Sequence, residues 1–119
     1  MVVRRFGSST RLRMTVDWIV PVGQAHSVTM ALQVISSESR TARGCIGCSI
    51  ATELTNGVAV RYIEEWQTED DLRNHVRSAT FGRLIALIED AIRQPHVEFR
   101  LPDGNRGLDY VADVRGSLA

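Results

Sequence analysis

The sequence predicts one α+β domain with the element order β-α-β-β-α-β. Three observations carry this: two stretches of strict apolar–polar alternation, a helical repeat of apolar residues between them, and an Asn-Gly pair set between strand-like runs. In "LRMTVDWIVP", Leu12, Met14, Val16, Trp18 and Val20 fall on one face and Arg13, Thr15 and Asp17 on the other, the period of two of an extended strand. Pro21 and Gly23 close it. From Gln24 to Arg43 the period lengthens. Val28, Leu32, Ile35 and Ser39 stand at i, i+4, i+7 and i+11, the stripe of an amphipathic helix, and Gly44 stops it.

Cys45 to Leu54 reads as the second strand and Val58 to Trp66 as the third. Thr55, Asn56 and Gly57 join them, because Asn-Gly tolerates the positive φ angles of a tight hairpin. A second helical segment starts at Thr68, an N-cap followed by Glu69, Asp70 and Asp71, whose charge suits the positive end of a helix dipole. Leu72 and Val76 begin its apolar stripe, and Phe81, Leu84, Ile85, Ile88 and Ile92 continue it to Pro95, with a break near Ser78. His96 to Leu101 is a fourth strand, "PDGNRG" a loop, and "LDYVADVRG" a short fifth strand or a docked tail. This is the split βαβ order of ferredoxin-like folds, in which both helices cover one face of an antiparallel sheet. The domain is expected over residues 14–102, with 1–13 a disordered extension and 103–119 a C-terminal tail. The third strand carries Val60 and Tyr62 on one face and Ile63 on the other. The uncovered face is therefore expected to pack against a second copy in a homodimer, since a large bare apolar face is rare on a soluble monomer.

Chain-wide counts narrow the function. With 14 basic and 14 acidic side chains the net charge is zero, which argues against a dedicated binder of nucleic acid or of an anionic membrane surface. No apolar run approaches the ~20 residues of a membrane span. Arg4, Arg5, Arg11 and Arg13 give the first residues a local basic excess, too small to change that balance, and no secretory apolar core accompanies them. A natural start at Met14 would leave this segment out. Two cysteines are too few for a disulfide scaffold and fit a reducing cytoplasm.

Those cysteines, Cys45 and Cys48, have C-x-x-C spacing. A redox pair of the thioredoxin type needs a helix N-terminus to lower the thiol pKa, and here a strand follows. On a regular strand residues i and i+3 point to opposite faces, so the sulfurs should diverge. A zinc site would need two further ligands at matching spacing, and neither a second cysteine pair nor a histidine-rich tract is present. The pair reads as two small strand residues, with no metal and no cofactor implied.

Chemistry is better sought in "YIEEWQTEDDLRNHVRSATFGRL". Alternation puts Glu64 in an apolar row between Tyr62 and Trp66, while Glu65 faces the other way. A carboxylate so placed must find a partner or be driven to its neutral form. His75 lies near the apolar stripe of the next helix and is the expected partner. Glu64 and His75 are thus the candidate catalytic pair, or else a contact that holds the fold. Trp66, Tyr62, Phe81 and Trp18 are candidate walls for a flat apolar ligand, or else core. His26 and His96 read as surface residues. No P-loop, dinucleotide glycine fingerprint, G-x-S-x-G or H-E-x-x-H is present.

Taken together, "RGCIGCSI", "YIEEW" and "LRNHVRSATF" resemble the antibiotic-biosynthesis monooxygenase superfamily over roughly Met14 to Leu101. The family pattern is a Gly-Cys before the second strand, a Glu-x-Trp, then a helix with His and a nearby Ser and Phe. Here these are Gly44, Cys45, Glu64, Trp66, His75, Ser78 and Phe81. The resemblance implies a ferredoxin-like protomer, a homodimer whose sheets form an α/β barrel, and a pocket between sheet and helices. It also implies cofactor-independent oxidation of phenolic or quinol-like molecules by molecular oxygen. Glu64 or His75 would be the base, and Arg61, Arg73 or Arg77 a counter-charge. The haem-degrading branch relies on an Asn-Trp-His arrangement that cannot be placed here, the first strand offering Asp17 instead. A non-catalytic dimer that binds a small ligand is the alternative implied by the same fold.

Overall fold

The structure, a computed structural model, describes residues 12–116. Its elements are β1 (Leu12–Val20), α1 (Val22–Ser39), β2 (Cys45–Thr55), β3 (Gly57–Trp66), α2 (Glu69–Val76), α3 (Ala79–Glu89), β4 (His96–Leu101), β5 (Gly104–Arg106) and α4 (Leu108–Gly116). The strands form one antiparallel sheet in the order β2-β3-β1-β4-β5. This is a ferredoxin-like α+β layer. The expected disordered extension falls on residues 1–11, which lie outside the described residues, while Leu12 and Arg13 belong to β1.

The alternation read from the sequence is the core. Leu12, Met14, Val16, Trp18 and Val20 of β1 are buried, as are Val58, Val60, Tyr62, Glu64 and Trp66 of β3. Leu32 and Ile35 of α1, Leu72 and Val76 of α2, and Phe81, Leu84 and Ile88 of α3 cover them. Among the described residues no helix is long and apolar enough to cross a membrane.

Pro21 ends β1 at Val20, as expected, and is also the N-cap of the helix that follows. Its φ of −59° leads straight into α1, and Gly23 sits in the first turn. The break near Ser78 is real and is built by that residue. Ser78 Oγ accepts from the Phe81 amide at 3.1 Å and donates to the His75 carbonyl at 2.6 Å, so it caps α3 while closing α2. Ile92, expected on the stripe, lies past the end of α3 and is exposed.

The C-terminal tail differs from the strand reading. The short fifth strand is Gly104–Arg106, within the expected loop, and "LDYVADVRG" is a docked helix. Tyr110, Val111 and Val114 are buried on one side of it. The Tyr110 ring lies 4.8 Å from that of Phe99, its hydroxyl donates to Glu69 at 2.9 Å, and Arg115 donates to the Val76 carbonyl at 2.8 Å. Helical spacing of three apolar residues outweighs the β-branched valines once α2 and β4 offer a surface.

The face of the sheet away from the helices is not a bare apolar surface. Arg13 pairs with Glu65 at 3.0 Å and Arg61 with Asp17 at 2.7 Å across the β1–β3 ladder, with His96 and Arg100 beside them on β4. Ile63 is half-buried among these, and Ile19 is exposed. Such exposed pairs, screened by solvent, add little stability.

Gly44 has φ +83°, and a Cβ there would lie 2.1 Å from the Asp71 carboxylate and 2.5 Å from its Cβ. Asp71 is held in place by the Thr68 hydroxyl at 2.9 Å and by its own amide donating to Thr68 Oγ at 3.1 Å. Gly44→Ala should therefore lose about 1–3 kcal/mol from backbone strain and the displaced cap. Equilibrium urea unfolding checks it, and a midpoint equal to that of the wild type would refute the strain argument.

Candidate functional site

β3 presents Tyr62, Glu64 and Trp66 to the helices at successive inward positions, and α1 and α2 supply Ser39 and His75 above them. All are buried, with Glu64 at 0% and His75 at 4% exposure. Glu64 is the hub. Its Oε2 accepts from the Tyr62 hydroxyl at 2.6 Å and from Ser39 Oγ at 3.3 Å, and lies 3.3 Å from His75 Nε2. Its Oε1 accepts from Trp66 Nε1 at 3.1 Å. Ser39 Oγ is also 3.3 Å from His75 Nε2. A buried carboxylate surrounded by donors is the satisfied form of a group that would otherwise be costly to bury.

The electrostatics follow from that hub. Burial first, then the Glu64 charge, push the Tyr62 hydroxyl far above its ordinary pKa, so it stays a proton donor. A carboxylate facing His75 Nε2 favours the tautomer with the proton on that nitrogen, leaving Nδ1 as the acceptor of the ring. The imidazole is fixed by rings on two sides. Trp66 lies 4.6 Å away between centroids, and Phe81 meets it edge-on at 5.7 Å and 82°.

The structure thus brings together Glu64, His75, Tyr62, Trp66 and Phe81. Trp18 is elsewhere. It pairs with Val60, whereas Met14 pairs with Glu64, four residues or about 13 Å along β1. Trp18 instead lines a cavity of about 410 Å³ with Pro21, Gln24, Val28, Leu87 and Ile92, where the sheet–helix layer opens. A second cavity of about 640 Å³ runs from Trp18 over Asp17, Ala51, Glu53, Arg61 and His96 on the open face. Neither is lined by Glu64 or His75. Of the arginines considered as counter-charges, Arg61 lies on the opposite face of the sheet, and Arg77 donates to the Val114 carbonyl at 3.4 Å.

Two participants were not foreseen. Ser39 was legible only as the last position of the α1 stripe, and a hydroxyl in an apolar stripe facing a buried acid was the available signal. Cys48 is the other. A β-bulge between Cys45 and Gly47 shifts the register of β2, so the two cysteines do not diverge: their sulfurs lie 3.7 Å apart. Among the described residues no cluster of three or more His, Cys, Asp or Glu side chains is arranged to hold a metal ion.

A ferredoxin-like sheet with a Glu-x-Trp on β3 and a histidine on α2 defines a recognisable class of small α+β proteins. The chain belongs to the antibiotic biosynthesis monooxygenase family, whose sequence model matches residues 13–87. Solved structures of the same fold include a conserved protein from Methanosarcina mazei Go1, with a TM-score of 0.70 and 21% identity over 82% of this chain and 97% of that one. Rv0793 from Mycobacterium tuberculosis matches with a TM-score of 0.65 and 15% identity, over 78% and 95%. PA3566 from Pseudomonas aeruginosa matches with 0.64 and 19%, over 76% and 91%. No curated protein matches in sequence.

Proposed function

We propose that the protein is a cofactor-independent monooxygenase acting on a small phenolic or quinol-like molecule, with His75 as base and Glu64 as the group that sets its tautomer. The observation that carries this is the Glu64–His75 contact at 3.3 Å inside a shell of Trp66, Tyr62 and Phe81. Glu64 holds the Nε2 proton and leaves Nδ1 to take a phenolic proton. The resulting anion is electron-rich enough to react with molecular oxygen. Where a CH₂ of the substrate becomes a carbonyl, one oxygen atom enters the product and the other leaves as water, the substrate supplying all four electrons. The aromatic shell keeps water out.

The near-zero exposure of both residues favours a second reading. In it the cluster holds the sheet to the helices, and the protein is a non-catalytic dimer that binds its ligand in the 640 Å³ cavity beside Arg61 and His96. Both readings include a homodimer through the open sheet face, supported by Ile19 and Ile63 set among paired charges there. Two free thiols fit a cytoplasmic, reducing setting.

Oxygen uptake against a panel of hydroquinones and anthrone-like phenols separates the readings, with His75→Ala run beside the native protein. Uptake that falls by about 10²-fold or more in a folded variant supports the base. No uptake across the panel, together with ligand-dependent stabilisation, moves the assignment to a binding protein.

A further inference from the structure

The bulge at the start of β2 has a chemical result. Ile46 is the extra residue, turned outward and 44% exposed, and its insertion puts Cys45 and Cys48 on the same side of the strand. We propose that Cys45 and Cys48 form a reversible disulfide, oxidised by a hydroperoxide, seated against the Glu64 cluster.

Four features favour closure. The sulfurs stand 3.7 Å apart, and a disulfide at ~2.05 Å requires them to approach by about 1.7 Å. β2 is an edge strand, so its backbone can shift without breaking a ladder on its outer side. Gly47 lies between the cysteines with open space where a side chain would be. The flank is anchored, since the Arg40 guanidinium donates to the Cys48 carbonyl at 2.8 Å.

The two thiols differ in role. Cys45 is partly exposed and meets the oxidant, while Cys48 is buried; burial raises the pKa of both thiols, that of Cys48 to about 12 with the Glu64 charge as the second cause. Cys45 thiolate attacks the O–O bond, becoming a sulfenic acid as the alkoxide leaves and takes a proton. The Cys48 sulfur then displaces water from it and loses its own proton. Two thiols and one hydroperoxide thus give one disulfide, one alcohol and one water. The thiols are oxidised by two electrons and the peroxide bond is reduced by two.

The site is coupled to its neighbours. Cys48 is the cross-strand partner of Glu64, and Cys45 of Trp66. The redox state therefore acts on the carboxylate and the indole of the cluster whether or not that cluster is catalytic.

The test uses the full chain. Reduced protein is exposed to stoichiometric hydrogen peroxide, quenched, unfolded and alkylated. The expected result is a monomer lighter by two hydrogen atoms, with no alkylatable thiol, restored by dithiothreitol. Tryptophan emission should fall on oxidation and recover on reduction. Cys48→Ser should stop at a sulfenic acid on Cys45 that dimedone traps, and Cys45→Ser should lose the reaction. Both thiols still alkylated after peroxide, a disulfide between chains, or direct passage to sulfinic acid would overturn the proposal. If a serine variant does not fold, the wild-type mass and thiol titration decide alone.

Discussion

Glu64→Ala is expected to cost about 3–5 kcal/mol of stability, more than any other single substitution in the cluster. It removes the acceptor of the Tyr62 hydroxyl, the Ser39 hydroxyl, the Trp66 indole and the His75 ring at one stroke, and leaves them buried around a cavity. Glu64→Gln is the sharper probe. Its carbonyl must face Trp66 Nε1, which can only donate, so its amide NH₂ turns toward Tyr62, Ser39 and His75 Nε2. The hydroxyls can accept by rotating. His75 can accept only by moving its proton to Nδ1, which ends its use as the base proposed above. Glu64→Gln should thus lose less stability, about 1–3 kcal/mol, yet lose oxygen consumption as fully as His75→Ala. Urea midpoints and uptake rates on the same preparations check both halves. A Glu64→Ala variant within about 0.5 kcal/mol of the wild type would remove the cluster from any part in holding the fold. A folded Glu64→Gln variant that keeps full activity would remove the tautomer argument.

That cluster was partly legible in the sequence because a strand has a fixed period. Once Val58, Val60, Tyr62 and Trp66 set the inward face, Glu64 had to join them, and a buried carboxylate had to have partners. Thr68 and Ser78 were similarly plain, since capping is local chemistry within three residues. The hairpin at Asn56-Gly57 was plain for the same reason, whereas an irregular register and the docking of distant segments were not. The bulge at Ile46 is a relation between β2 and β3, and nothing within "CIGCSI" announces it, so a rule for regular strands wrongly separated the sulfurs. The helix over Leu108–Gly116 depends on a surface made by Phe99 and α2, residues distant in the chain. On the open face, Arg13 and Asp17 are legible from the alternation of β1, but their pairing with Glu65 and Arg61 around Ile63 is a matter of register.

Stability should fall steeply as pH rises from about 9 toward 12, and Tyr62→Phe should be weaker at neutral pH but flatter above it. Folded Cys48 keeps its proton until about pH 12, whereas the unfolded thiol releases it near 9.0. Between those values the folded chain binds more protons, so this contribution is complete below pH 9 and is lost as pH climbs through the folded pKa. Tyr62 acts in the same direction from pH 10.0 upward, because burial and the adjacent Glu64 keep its hydroxyl protonated in the fold and not in the unfolded chain. In Tyr62→Phe the 2.6 Å bond to Glu64 is gone, at a cost of about 1.5–3 kcal/mol at neutral pH. Its alkaline loss is then left mainly to the thiols. Urea midpoints in dithiothreitol, at neutral pH and in steps up to pH 12, compare the two proteins while keeping the cysteines reduced. Parallel curves would mean that Tyr62 ionises as readily in the fold as outside it. Converging curves would show that the cluster depends on a phenol that cannot release its proton, and would assign Tyr62 to orienting Glu64 rather than to transferring protons.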